Sequence, residues 1–280
     1  MTSLRCIALL AAVLPIVLVP SAGAASAGIG IGFSSLDTNQ SFKVSGTLYL
    51  PENASTPCPA IVMVHGNGGI DSVGAFYRES IVDAGIAIFE VDFKNGVYNP
   101  PERPLQATFL PLVFAALKEL RELPSIDPDR IGIVGFSMGG GIALRTAVEA
   151  NRKTWMGGEK GFAAHVAFYP AAGPFMSSLE SSGSPLTGAP MIVFYGTEDA
   201  YGDGKAVPDL KLLLQRKYNF QLSTVEYPGA THGFNRRADP IVYADPAAIG
   251  GRGSMTWNPD AANDSLTRVI AFLRQYLAAK

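Results

Sequence analysis

The sequence predicts an α/β domain, a mostly parallel sheet flanked by helices, on three observations. Short apolar runs alternate with longer amphipathic ones, the pattern of strands joined by crossover helices. The runs 61–64 and 191–195 show no polar alternation, as strands buried on both faces require. Finally, Gly135-Phe136-Ser137-Met138-Gly139-Gly140 follows an apolar run directly and leads into a helical one, so a tight strand–turn–helix connection is expected there. A chain of 280 residues, 48% apolar and 16% charged, has ample material for a core, which excludes wholesale disorder.

Taken from the start, residues 1–27 have the form of a cleaved export signal. Arg5 supplies a short positive region, Cys6 to Val19 is apolar apart from Pro15, and Ala22-Gly23-Ala24 and Ala25-Ser26-Ala27 both fit a cleavage site. The run is shorter than the ~20 residues that span a bilayer, and no later segment qualifies. The expected mature chain, 28–280, is one domain, and Cys58 is its sole cysteine once Cys6 is removed, so no internal disulfide can form.

The elements then follow in order. Ala60 to Val64 is a continuous apolar strand, 72–84 a helix after a Gly-rich loop, and Ile86 to Val91 the next strand. A Pro-rich loop from Asn99 to Pro104 precedes a helix over 105–122. Strand Ile131 to Val134 feeds the elbow, and a helix runs from Gly140 to Asn151. Phe162 to Tyr169 is a strand, and Ala171 to Pro190 reads as a loose Ser/Gly/Pro stretch. Strand Met191 to Tyr195, helix 207–217 and strand Leu222 to Glu226 come next. Leu266, Val269, Ile270, Leu273 and Leu277 stand at helical spacing in a closing helix over 264–278. The irregular stretches 171–190 and 235–260 are expected to wall a pocket.

The chemistry centres on Ser137. The elbow would lift its hydroxyl clear of the sheet at a helix N-terminus, but a hydroxyl attacks a carbonyl only when a base takes its proton. Three histidines are available. His65 ends a buried strand and suits ordering of the following loop, and His165 lies within a strand. His232, in Gly229-Ala230-Thr231-His232-Gly233-Phe234, stands in a loop beyond a strand end, where a base belongs. A carboxylate after strand 191–195 would orient it: Asp199 is preferred, with Glu198 and Asp203 as alternatives. The peptide N–H groups of Met138 and Asn67, the latter in His65-Gly66-Asn67-Gly68-Gly69, are the expected oxyanion donors. That loop has neither the spacing nor the Lys of a phosphate-binding P-loop. A net charge of −2 without a basic block leaves no electrostatic footprint for nucleic acid or an anionic membrane.

Five strings resemble the dienelactone hydrolases of the α/β-hydrolase superfamily: Val64 to Gly69, Val91-Asp92-Phe93, the elbow at 135–140, Gly196 to Asp199, and above all Tyr227-Pro228-Gly229-Ala230-Thr231-His232-Gly233-Phe234. The resemblance implies the α/β-hydrolase fold with a mostly parallel sheet of about eight strands. It also implies a Ser137, Asp199 and His232 triad, and hydrolysis of an ester or lactone through an acyl-enzyme without metal or organic cofactor. Two departures matter. Dienelactone hydrolases proper carry a cysteine nucleophile and a glutamate that pairs with it, where this chain has Ser137 and Gly66, which points to a more general serine esterase. Arg236 matches a family arginine that holds a substrate carboxylate; its alternative is a solvated surface charge.

The elbow also resembles that of bacterial cutinase-like polyesterases, so a polyesterase or peptidase is the second reading. A catalytically silent binding scaffold is the third. The expected partner is a small-molecule ester or lactone met in the periplasm or outside the cell.

Overall fold

The structure is a computed structural model that describes residues 28–38, 43–52, 57–94 and 105–279. The expected leader at 1–27 and the loop at 99–104 lie outside the described residues. Strands β1 (Ile29–Ser34), β2 (Lys43–Tyr49), β3 (Cys58–Val64), β4 (Ala87–Asp92), β5 (Ile126–Phe136), β6 (His165–Phe168), β7 (Met191–Gly196) and β8 (Ser223–Tyr227) form one sheet in the order β1-β2-β4-β3-β5-β6-β7-β8. β1 and β2 are antiparallel to their neighbours, and the pairs from β4 through β8 are all parallel. This is the mostly parallel eight-stranded sheet that the resemblance implies.

β3 shows why its sequence carries no polar alternation. Ala60, Val62 and Val64 enter the core beneath α2 (Leu105–Arg121) and α3 (Met138–Thr146). Ile61 and Met63 point the other way, into the core beneath α1 (Ser72–Asp83) and α7 (Pro259–Tyr276). Full burial of each large apolar side chain contributes about 1.5–3 kcal/mol, so both faces of the strand must be apolar. A third cluster joins Ala167 of β6 and Val193 of β7 to α5 (Ala172–Ser182) and α6 (Asp203–Tyr218). Among the described residues, no helix is long and apolar enough to cross a membrane.

Three expectations need correction. The stretch 171–190 is not loose: it holds α5, whose buried Ala172, Phe175 and Leu179 keep helical spacing while serines occupy the outer face. Its Pro174 sits in the first turn, where no intrahelical N–H is required. The helix expected over 140–151 is two helices, α3 and α4 (Glu149–Met156). Between them Val148 is extended and bridges Leu186, and the Glu149 N–H donates to the Pro185 carbonyl, so a passing segment draws the backbone out of the helix. The strand expected over 162–169 is confined to His165–Phe168.

Segment 235–260 carries a two-stranded antiparallel strap, β9 (Ile241–Ala244) with β10 (Arg252–Met255), which walls a cavity as expected, whereas 171–190 contributes nothing to that cavity. His65, Ser137, Asp199 and His232 all follow the carboxyl ends of parallel strands, the side of such a sheet where sites form.

Candidate active site

Ser137 stands between β5 and α3 at φ 53°, ψ −114°, a conformation that costs a side-chain-bearing residue about 1–3 kcal/mol. Close packing enforces it. A Cβ on Gly135 would lie 2.0 Å from the Gly139 carbonyl oxygen, and one on Gly139 would lie 2.2 Å from that of Val64, so both must be glycine. The Ser137 N–H donates to the Phe168 carbonyl at 3.0 Å, and its own carbonyl accepts from Gly141 at 2.9 Å. Met138, the first residue of α3, has an N–H with no partner inside the helix.

The side chains gather as follows. Ser137 Oγ lies 2.8 Å from His232 Nε2, and His232 Nδ1 lies 2.8 Å from Asp199 Oδ2. His232 and Asp199 are 2% and 5% exposed, so this chain of contacts is held away from bulk water. Beside the carboxylate, Nδ1 carries the proton and donates, which leaves the Nε2 lone pair to accept from the serine hydroxyl. The other Asp199 oxygen, Oδ1, accepts from the Tyr201 N–H at 2.8 Å.

The loops bearing Asp199 and His232 are laced together. The Thr197 N–H donates to the Tyr227 carbonyl, the Glu198 N–H to the Ala230 carbonyl, and the Gly229 N–H to Thr197 Oγ1. Gly196 lets them approach, since a Cβ there would sit 2.0 Å from the Ala230 oxygen. Glu198 points into solvent. Asp203 is buried but committed elsewhere, accepting from the Ala171 and Ala172 N–H groups at 3.0 and 2.6 Å, with its pKa pushed up to about 7 by burial and by nearby Asp199. Asp199 is the carboxylate that reaches the imidazole.

His65 orders a loop, as expected. Its Nε2 accepts from the Phe93 N–H at 3.1 Å, so Nδ1 holds the proton and donates to the Gly66 carbonyl at 2.6 Å. Burial lowers its pKa, which keeps the ring neutral. The Gly66 carbonyl also accepts from Gly69 at 3.1 Å. In a planar trans peptide the Asn67 N–H points opposite to that doubly held carbonyl. A Cβ on Gly66 would meet Ser137 Cβ at 3.5 Å, an ordinary contact, so a larger side chain there would lie over the serine. His165 is buried in β6, outside the site.

A cavity of about 460 Å³ opens over these groups, bounded by Gly66, Asn67, Ser137 and His232 and closed by Ile241, Tyr243 and Met255 of the strap. Arg236 lines it too, half-buried, with Nη1 donating to the Asp239 carbonyl at 3.0 Å. Sequence reasoning missed Tyr169, Tyr201 and Asp245, which also face this cavity. Tyr169 and Tyr201 stand just past the ends of β6 and β7, a position that is itself a signal; Asp245 carries none.

The sequence profile of the dienelactone hydrolase family matches residues 44–277. Among curated proteins, the esterase FrsA of Photorhabdus laumondii is 33% identical over 108 residues, which are 37% of this chain and 25% of that protein. The quorum-quenching protein AidA of Acinetobacter baumannii is 35% identical over 114 residues, 39% of this chain and 37% of that one. The chain thus spans a quarter to just over a third of the length of these curated relatives. Among solved structures, a dienelactone hydrolase-like promiscuous phosphotriesterase, P91, from metagenomic libraries superposes with a TM-score of 0.65 at 18% identity, covering 90% of this chain and 99% of that one. A thermophilic esterase of Thermogutta terrifontis gives a TM-score of 0.63 at 19% identity, covering 90% and 96%. With its α/β-hydrolase fold and a family match over most of its length, the chain belongs to the dienelactone hydrolase family.

Proposed function

We propose that the protein is a serine hydrolase that cleaves a carboxylic ester or lactone through an acyl-enzyme, and that its leader exports it. One observation carries the reading: His232 lies 2.8 Å from Ser137 Oγ on one side and 2.8 Å from Asp199 on the other. Ser137 attacks the substrate carbonyl as His232 Nε2 takes its proton, and the carbonyl π electrons move to oxygen. Asp199 holds the imidazole in the required tautomer and stabilises the imidazolium as it forms. The N–H groups of Met138 and Asn67 receive the oxyanion. The tetrahedral adduct collapses, the ester C–O bond breaks, and the imidazolium returns its proton to the departing alkoxide. Water repeats the cycle on the acyl-enzyme and releases the acid. Arg236, at the cavity wall, would receive a carboxylate on the substrate.

The match to an esterase and the family membership support ester chemistry. A fluorophosphonate that labels the wild type at Ser137 and fails to label Ser137→Ala tests the reading, and absence of wild-type labelling overturns it in favour of a silent scaffold. A panel of p-nitrophenyl esters, lactones, peptides and polymer films separates an esterase from a polyesterase or peptidase.

A further inference from the structure

His232 is held by more than its two hydrogen bonds. Its ring packs against two tyrosine rings, Tyr169 with its centroid 4.6 Å away and Tyr201 with its centroid 4.5 Å away, both steeply inclined to it. The two differ in how they are fixed. Tyr169 is anchored in the core by a directed chain of hydrogen bonds: its hydroxyl donates to Asn235 Oδ1, Asn235 Nδ2 to the Tyr77 hydroxyl, Tyr77 to Ser265 Oγ, and Ser265 to the Ala262 carbonyl. Tyr201 is half-buried at the cavity wall, and its ring is held from outside the core.

The outside anchor is the strap. The Tyr201 hydroxyl donates to Asp245 Oδ2, beyond the end of β9. With that single hydrogen spent, the Tyr243 hydroxyl is the donor in the 3.1 Å contact between the two tyrosines. The strap is fastened nearby through the backbone as well. The Ile249 N–H donates to the Ala200 carbonyl at 2.7 Å, the Thr256 N–H to Thr231 Oγ1 at 2.9 Å, and Met255 bridges His232. Tyr201 therefore touches three parts of the site at once: its N–H holds Asp199, its ring packs against His232, and its hydroxyl is gripped by Asp245.

We propose that Tyr201 is a positioning residue for His232, aimed by Asp245, so that the strap helps to set the orientation of the base as well as walling the cavity. This rests on the serine hydrolase reading. A tyrosine released from Asp245 keeps only the weaker 3.1 Å contact to the Tyr243 hydroxyl, so its ring can shift away from the imidazole and leave Nε2 free to drift from the serine oxygen. Small displacements at a reacting atom are costly, which makes a loss of about 10-fold the expected scale. Asp245 also lines the cavity, so direct contact with substrate is the competing explanation.

The test measures kcat and KM on a p-nitrophenyl ester, and the second-order rate of fluorophosphonate labelling, for wild type, Tyr201→Phe, Asp245→Ala, the double variant and Asp245→Asn. Either single change is expected to lower kcat and the labelling rate about 10-fold, with KM within about 2-fold. The double variant should be no slower than Tyr201→Phe, since that change already removes the contact with Asp245 along with the one to Tyr243. Asp245→Asn should recover most of the rate, because the amide oxygen still accepts from the tyrosine hydroxyl. Wild-type labelling rates in both single variants overturn the proposal, whatever happens to their melting temperatures. So does a rise in KM for Asp245→Ala with an unchanged Tyr201→Phe, which would mark a substrate contact, and so do multiplicative losses in the double variant. Failure of the wild type to label at Ser137 defeats the hydrolase reading itself, and this proposal with it.

Discussion

Replacing His165 by leucine should make the protein more resistant to acid. His165 lies in β6, fully buried, and neither ring nitrogen has a hydrogen-bond partner. Burial lowers its pKa from 6.5 to about 4, a shift that the Pro190 carbonyl opposes. The imidazole is therefore neutral in the fold and takes up a proton on unfolding whenever the pH is below 6.5. Below that value the unfolded state binds more protons, so stability falls as the pH drops from about 6.5 to about 4, where the native ring also begins to protonate. At 1.36 kcal/mol per pKa unit, the single histidine removes about 3 kcal/mol by pH 4. Asp203 acts in the opposite direction. Its carboxyl, raised from 3.8 to about 7, is protonated in the fold below that pH while the unfolded group stays ionised down to 3.8, so stability rises as the pH falls through this range. Comparing wild type with His165→Leu at each pH cancels the Asp203 contribution and isolates the histidine. Urea unfolding at pH 7.5, 6.5, 5 and 4 is the assay, with the variant gaining about 3 kcal/mol on the wild type between the first and last conditions. Parallel curves, with a stability difference that stays constant across pH, would refute the reasoning.

Other expectations concern the site. Asp199→Asn places an amide N–H against His232 Nδ1 and favours the wrong tautomer, so kcat should drop by about 10⁴ with the fold intact, read by ester turnover and circular dichroism. His65→Leu removes one of the two donors on the Gly66 carbonyl and leaves the Phe93 N–H without its acceptor. Turnover should fall by up to about 10²–10³, the worth of one oxyanion donor, and stability by about 1–3 kcal/mol in a urea titration. Arg236→Met should raise KM several-fold for esters bearing a second carboxylate and leave uncharged esters unchanged; equal effects on both would remove the arginine from substrate recognition.

The sequence was most legible where one physical requirement acts alone. β3 and β7 are apolar throughout because both faces are buried, and the glycines around Ser137 announce a turn that tolerates no Cβ. Ser137, Asp199 and His232, whose side chains the structure brings into contact, were legible because each residue type is scarce or sits just past a strand end. α5 was hidden because its three buried residues are separated by serines, glycine and proline that suggest a loop, and packing overrides that composition. The break between α3 and α4 depends on a bridge to Leu186, far along the chain, which no local window contains. β1 and β2 went unread, and their pairing is likewise nonlocal. Tyr201 and Asp245 meet across 44 positions of chain, so nothing near either residue foretells the other.

The lacing between the turns after β7 and β8 has a mechanical consequence. Asp199 and His232 ride on one stitched unit, whereas Ser137 belongs to a separate unit, the elbow of β5 and α3. A shift of the outer strands carries Asp199 and His232 together and preserves their mutual contact, so misalignment concentrates in the gap between imidazole and hydroxyl. Warming should open that gap before it dismantles either unit, and activity should fade at temperatures where the sheet is still whole.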